Sequence, residues 1–155
     1  MKEFRSLYEN NYKRVFYYLK SLCRNEKLAE DLAQETFYRV LTLLCGGRMP
    51  KVSDKWFIKV AHNIFLDYLR KNQTPVESLE GHGSLIAAPV EDSARRLDIL
   101  ETLGALPVRY RSLILLKDHY GFTNEEISEL TGSSVSAVKI TLMRARSKFK
   151  EVYGA

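Results

Sequence analysis

The sequence predicts an all-α protein: two small helical domains joined by a flexible acidic linker, the C-terminal one a helix-turn-helix. Three observations predict it. Apolar residues recur at spacings of three and four along most of the chain, and no strand alternation interrupts them. The segment 73–93 breaks the pattern with Pro75, Gly81, Gly83 and Pro89. The chain has 155 residues, enough for one medium domain or two small ones. The expected division is 1–72, a linker 73–93, and 94–155. Each lobe is of the size at which a lone core is only marginally stabilising, so each is expected to depend on partners.

The elements follow in order. Residues 4–23 read as helix, with Tyr8, Tyr12, Val15, Phe16, Leu19 and Leu22 on one stripe. Asn25 suits the cap of a second helix reaching about Leu44, with Leu28, Leu32, Val40, Leu41 and Leu44 inward. Gly46 and Gly47 stop it. After a connector holding Pro50, Ser53 or Asp54 caps a third helix to about Lys71, with a stripe of Phe57, Val60, Ala61, Ile64, Phe65, Tyr68 and Leu69. The linker carries Glu77, Glu80, Glu91 and Asp92 and no Lys or Arg, an acidic segment in a basic protein. Helices resume near Ala94 with Leu97, Leu100 and Leu103. Pro107 suits the first turn of the next helix, which uses Tyr110, Leu113, Ile114 and Lys117 and ends by Gly121. Thr123 and Glu126 form a capping box for the helix Asn124–Leu130. Gly132 turns the chain, and Ser134 caps a last helix to about Val152.

The net charge is +5, which permits a nucleic-acid partner without requiring one. Its distribution says more. From Ser134 to Lys150 there are five basic residues, Lys139, Arg144, Arg146, Lys148 and Lys150, and no acid. The helix before it carries Glu125, Glu126 and Glu129. A surface helix with five cations is common when acids alternate with them; here none do. With Val135, Val138 and Leu142 packed inward, Ser136, Ala137, Lys139, Ile140, Thr141 and Met143 remain for the outer surface. This is the polarity expected of a helix lying in the major groove. Neutralising four or five phosphates implies a log-log salt slope of roughly −4.

The second helix has a polar face of Asp31, Gln34, Glu35 and Tyr38, at i, i+3, i+4 and i+7, extended by Glu26 and Glu30. A solvated face and a docking site are both open readings of it. Only Glu26 is accounted for by the helix dipole. The third helix has the opposite sign: Lys59, His62, Asn63, Leu66, Asp67 and Arg70 are expected on its outer face, followed by Lys71, with Trp56 at its start. Such a surface suits stacking on unpaired bases and contact with phosphate. Trp56 fits the lobe's core somewhat better; Asn63, Arg70 and Lys71 fit binding.

Three blocks, in this order, carry a family resemblance over nearly the whole chain. The string from Leu28 to Phe37 (LAEDLAQETF) resembles the core-polymerase-binding region of extracytoplasmic-function (ECF) sigma factors, of the sigma-70 family. Lys55 to Lys71 (KWFIKVAHNIFLDYLRK) resembles their promoter-melting and minus-ten-reading segment. Leu106 to Arg111 (LPVRYR), with the helix-turn-helix to Arg146, resembles their minus-thirty-five-reading domain.

The resemblance implies roles. Asp31, Gln34, Glu35 and Tyr38 would dock on the clamp helices of the polymerase β′ subunit. Trp56, Lys59, His62, Asn63, Asp67, Arg70 and Lys71 would handle the minus-ten element. Ser134, Ser136, Ala137, Lys139, Ile140, Thr141, Met143, Arg144 and Arg146 would read the minus-thirty-five element in duplex DNA. The acidic linker would thread the polymerase interior. Implied partners are core RNA polymerase (its β flap included), promoter DNA and an anti-sigma factor. Two departures stand out. The family often has Arg where this chain has His62, which implies a weaker backbone contact at neutral pH. It often has Ser-Arg where this chain has Ile140 and Thr141, leaving apolar and hydroxyl groups at the base edges.

Other classes are less favoured. A stand-alone helix-turn-helix regulator would bind a palindromic duplex site without polymerase. No nucleophile-base pair, phosphate loop or metal cluster points to an enzyme, and no cofactor or metal is expected. Cys23 and Cys45 and the three histidines lie in no zinc spacing. The N-terminus, MKEFRSLYENNYKR, lacks an apolar export signal, and no apolar run approaches a membrane span. The expectation is a cytoplasmic protein with reduced cysteines and no membrane contact of its own.

Overall fold

Short polar side chains open four of the helices by accepting the backbone amides that a first turn leaves unpaired. In the computed structural model, which describes residues 2–72 and 93–154, α1 spans Lys2–Cys23. Asn25 accepts from Leu28 N at 3.0 Å and opens α2 (Glu26–Cys45); Ser53 accepts from Trp56 N and opens α3 (Asp54–Lys71). After α4 (Ser93–Ala105) and α5 (Val108–Ile114), the chain continues as a π-helical turn over Leu115–His119. Thr123 and Glu126 complete both arms of a capping box at α6 (Asn124–Thr131), and Ser134 caps α7 (Val135–Tyr153). Among the described residues there is no strand. The segment read as an acidic linker lies outside them up to Asp92, and Ser93 already belongs to α4.

The chain divides into two compact units between Thr74 and Pro75. In the first, α1, α2 and α3 pack pairwise around Val15, Tyr18, Leu19, Leu22, Phe37, Phe57, Ile58 and Phe65. The turn from α1 to α2 is two residues long, and Arg24 takes a left-handed φ of 51° to make it. The stripes are wider than the leucine and tyrosine spacing suggested. On α2 the small residues Ala29, Ala33 and Thr36 are buried with Leu32, Phe37 and Val40, because α2 meets both other helices. Leu28, Leu41 and Leu44 lie at the margin, half-buried.

In the second unit α7 packs on α4, α5 and α6. Leu106, Leu116, Phe122, Ile127, Val138 and Leu142 fill the core. Arg111 sits among them, 1% exposed. Its Nε donates to Leu103 O at 3.1 Å and its Nη2 to Leu106 O at 3.0 Å, so the guanidinium fork closes the C-terminal end of α4. The π-turn offsets the chain after α5, and Asp118 within it meets Arg146 of α7. Lys117, read from spacing as part of the buried stripe, is half-buried; Leu115 and Leu116 are buried instead.

Candidate nucleic-acid interface

The second unit presents its basic helix on a rigid turn. Gly132 ends α6 at φ 76°, a left-handed conformation that costs an L side chain about 1–2 kcal/mol. Ser128 Oγ donates to Ser133 O at 2.5 Å and ties the turn to α6. Thr131 Oγ1 donates back to Ile127 O.

On α7 the buried residues are Val138, Leu142 and Ala145. At 100° per residue, the opposite side of the helix holds Ser136, Ile140, Met143 and Ser147, all exposed. This neutral stripe runs between two cationic rows. Lys139, Arg146 and Lys150 lie on one side of it, and Arg144 and Lys148 on the other. Ser134 and Ala137 are exposed at the helix start; Thr141 is half-buried on the shoulder next to the core. Arg146, expected to face DNA, makes a two-armed ion pair with Asp118, at 2.6 and 3.2 Å. The carboxylate raises the pKa of that guanidinium, chiefly through the hydrogen bond. Lys148 reaches Glu151 at 3.5 Å. The Asp118 partnership spans 28 positions, and no local spacing signals it.

The first unit carries two faces. On α2, Asp31, Gln34, Glu35 and Tyr38 are all exposed, Tyr38 at 68%. Lys27 pairs with Asp31 one turn back, at 3.2 Å. On α3, Asn63, Arg70 and Lys71 are exposed, while Trp56, Lys59, Leu66 and Asp67 are half-buried. Arg70 is ion-paired to Asp67. Trp56 stands edge-on to Phe57, with centroids 5.1 Å apart. It belongs neither wholly to the core nor wholly to the surface.

His62 is not on that outer face. It is 5% exposed, and its Nδ1 lies 2.8 Å from the Tyr18 hydroxyl of α1. Burial pushes its pKa down from 6.5 to about 4, so the ring is neutral. The physical reason is that α3 packs on both α1 and α2 and buries an arc of about 160°. Ile58, His62, Phe65 and Leu69 fall at i, i+4, i+7 and i+11, a regular apolar stripe that the histidine joins. That spacing was the signal for it. A contact between His62 and the DNA backbone is therefore excluded in this conformation.

Cys23 is buried, its thiol against Leu19 O, and Cys45 is exposed at the end of α2. Among the described residues no group of three or more His, Cys, Asp or Glu could hold a metal ion. No described helix is long and apolar enough to cross a membrane.

Among the described residues, three helices in one unit and four α-helices in the other, the last a basic helix on a helix-turn-helix, fit a class of DNA-binding transcription proteins. Comparison with known proteins narrows the class. Residues 7–74 match Sigma-70 region 2, and residues 96–149 match Sigma-70, region 4. The chain is 34% identical to the ECF RNA polymerase sigma factor SigM of Bacillus subtilis, over 90% of this chain and 88% of that protein. It is 31% identical to the RNA polymerase sigma factor SigV of the same organism, over 87% and 82%. The fold is similar to that of the sigma factor RpoE of Bartonella quintana, solved in complex with the anti-sigma factor NepR. The TM-score is 0.78 at 22% identity, covering 100% of this chain and 99% of that one. The chain belongs to the ECF RNA polymerase sigma factors of the sigma-70 family.

Proposed function

We propose that this sigma factor divides its work among three faces. Asp31, Gln34, Glu35 and Tyr38 of α2 dock on the β′ clamp helices of core RNA polymerase. Asn63, Arg70 and Lys71 of α3, with Trp56, Lys59 and Asp67 at their margin, handle the minus-ten element. The exposed side of α7 reads the minus-thirty-five element, with the β flap as the expected support of that lobe. Residues 1–72 and 94–155 are the working lobes, and the acidic segment between them occupies the polymerase interior. The protein acts in the cytoplasm, with no catalytic group of its own. An anti-sigma factor, such as the Bartonella protein was solved with, is the expected restraint.

The observation that carries this reading is the sorting of charge onto separate helices. The α2 face is acidic, while α3 and α7 expose cations. An acidic face is repelled by DNA and suits a protein partner; the cationic faces suit phosphate. A stand-alone regulator would have no use for an acidic docking helix, and the family membership disfavours it.

The test is reconstitution. The purified chain added to core polymerase should direct transcripts from a defined set of promoters on genomic DNA. Failure of core enzyme to retain it, or to gain promoter-specific starts, refutes the proposal. Glu35→Lys should weaken core binding by about tenfold while leaving the unfolding transition unchanged, since Glu35 is exposed. Unchanged affinity in a core-binding titration would remove α2 as the docking face.

A further inference from the structure

The stripe of α7 that faces away from the core is where base recognition must occur if the helix enters the groove, and its chemistry is unusual for that task. Its two central side chains, Ile140 and Met143, are 46% and 65% exposed. Neither offers a strong hydrogen-bond donor or acceptor, so neither can read the polar pattern of a base edge. The one apolar feature in the major groove is the C5-methyl group of thymine. The flanking rows bring Lys139 and Lys150 on one side and Arg144 and Lys148 on the other, with no acid on the groove side before Glu151. That charge suits a polyanion and not an uncharged protein groove. Residues three apart on a groove-bound helix meet successive base pairs, as residues −1, 3 and 6 of a zinc finger do.

We propose that Ile140 and Met143 form an apolar pair that recognises thymine methyl groups at two neighbouring base pairs of the minus-thirty-five element. The inference rests on the reading of α7 as the duplex-reading helix and specifies which base feature its centre selects. Ser136 and Ser147, at the two ends of the stripe, have hydroxyls that accept either kind of base edge, so the pair carries the discrimination. Thr141, turned to the shoulder, takes no part in it.

The experiment uses the full chain bound to core polymerase and a promoter found by mapping its start sites. Each thymine of the upstream duplex is replaced in turn by uracil, which removes only the methyl group. Two neighbouring replacements should each weaken binding about fourfold, the value of one buried methyl. Both effects should vanish in Ile140→Ser/Met143→Ser, and the one at the Met143 position should persist in Met143→Leu. Both residues are exposed, so these variants keep the fold, which circular dichroism verifies. Lys139→Ala separates the two levels: it should weaken binding to every promoter. Uracil without effect, or an effect undiminished in the double serine variant, overturns the methyl pair while a loss in Lys139→Ala keeps α7 in the groove. No loss in Lys139→Ala overturns the groove reading as well. Loss of a protein partner in the double variant, with promoter binding intact, assigns the stripe to that partner and also overturns the pair.

Discussion

In the first lobe the most deeply buried basic side chain among the described residues is His62, discharged by its surroundings and held by the hydroxyl of Tyr18. In the second it is Arg111, which cannot discharge and is held by the carbonyls of Leu103 and Leu106. The two solutions teach how a small core tolerates a cationic residue type. A histidine can give up its proton when desolvation outweighs its charge. An arginine must be given acceptors, and the end of a helix supplies carbonyls with accepting capacity left over: Leu106 O is open, and Leu103 O takes the guanidinium besides Leu106 N. The first lobe therefore carries a pH-dependent element in its core, and the second a pH-independent strut.

The largest expected effect titrates the first lobe. The folded pKa of His62 is about 4, below the 6.5 of the unfolded chain. As pH falls, the unfolded chain takes up the proton first. The contribution of this site is then fully present above pH 6.5 and is lost progressively down to about pH 4, about 3 kcal/mol in all. His62→Gln keeps an acceptor for Tyr18 but has no proton to gain, so the decline assigned to this site should disappear. An unaltered pH profile in that variant would sink the assignment.

The next effect breaks the strut. Arg111→Met strands the carbonyl of Leu106, leaves that of Leu103 only its bond from Leu106 N, and should cost about 2 kcal/mol. Urea unfolding measures the loss, and hydrogen exchange should place it in residues 98–154. A loss below about 1 kcal/mol would mean water takes over the role of the guanidinium.

The smallest effect concerns the turn beside α7. Gly132→Ala meets no atom within 4 Å, so its cost is conformational alone, about 1 kcal/mol. It should lower thermal stability slightly and leave core-polymerase binding untouched. A thermal shift of zero would show that the turn relaxes out of its left-handed form.

Much of this molecule was legible from spacing and capping chemistry. Asn25, Ser53, Thr123 and Ser134 act as the caps their positions suggested, because a cap is a local bargain between one side chain and an amide two or three residues on. The exposed acidic run on α2 followed from the same helical period. What stayed hidden was tertiary. His62, expected on the outer face for its polarity, instead completes the buried stripe of Ile58, Phe65 and Leu69. No spacing marks Arg111 as buried, and only its distance to the end of α4 reveals the strut. The pairing of Asp118 with Arg146 joins a π-turn to α7, and neither the turn nor the pairing has a local pattern. It also withdraws one cation from the set expected to meet phosphate.

The opposition of the two stripes on α7 has a consequence for how such a protein changes over time. Val138, Leu142 and Ala145 answer to the fold, while Ser136, Ile140, Met143 and Ser147 answer only to whatever lies outside it. Substitutions in the second set are nearly free of any folding penalty. The target preference of this helix can therefore drift through neutral steps, and duplicated copies can diverge to separate gene sets on an unaltered scaffold.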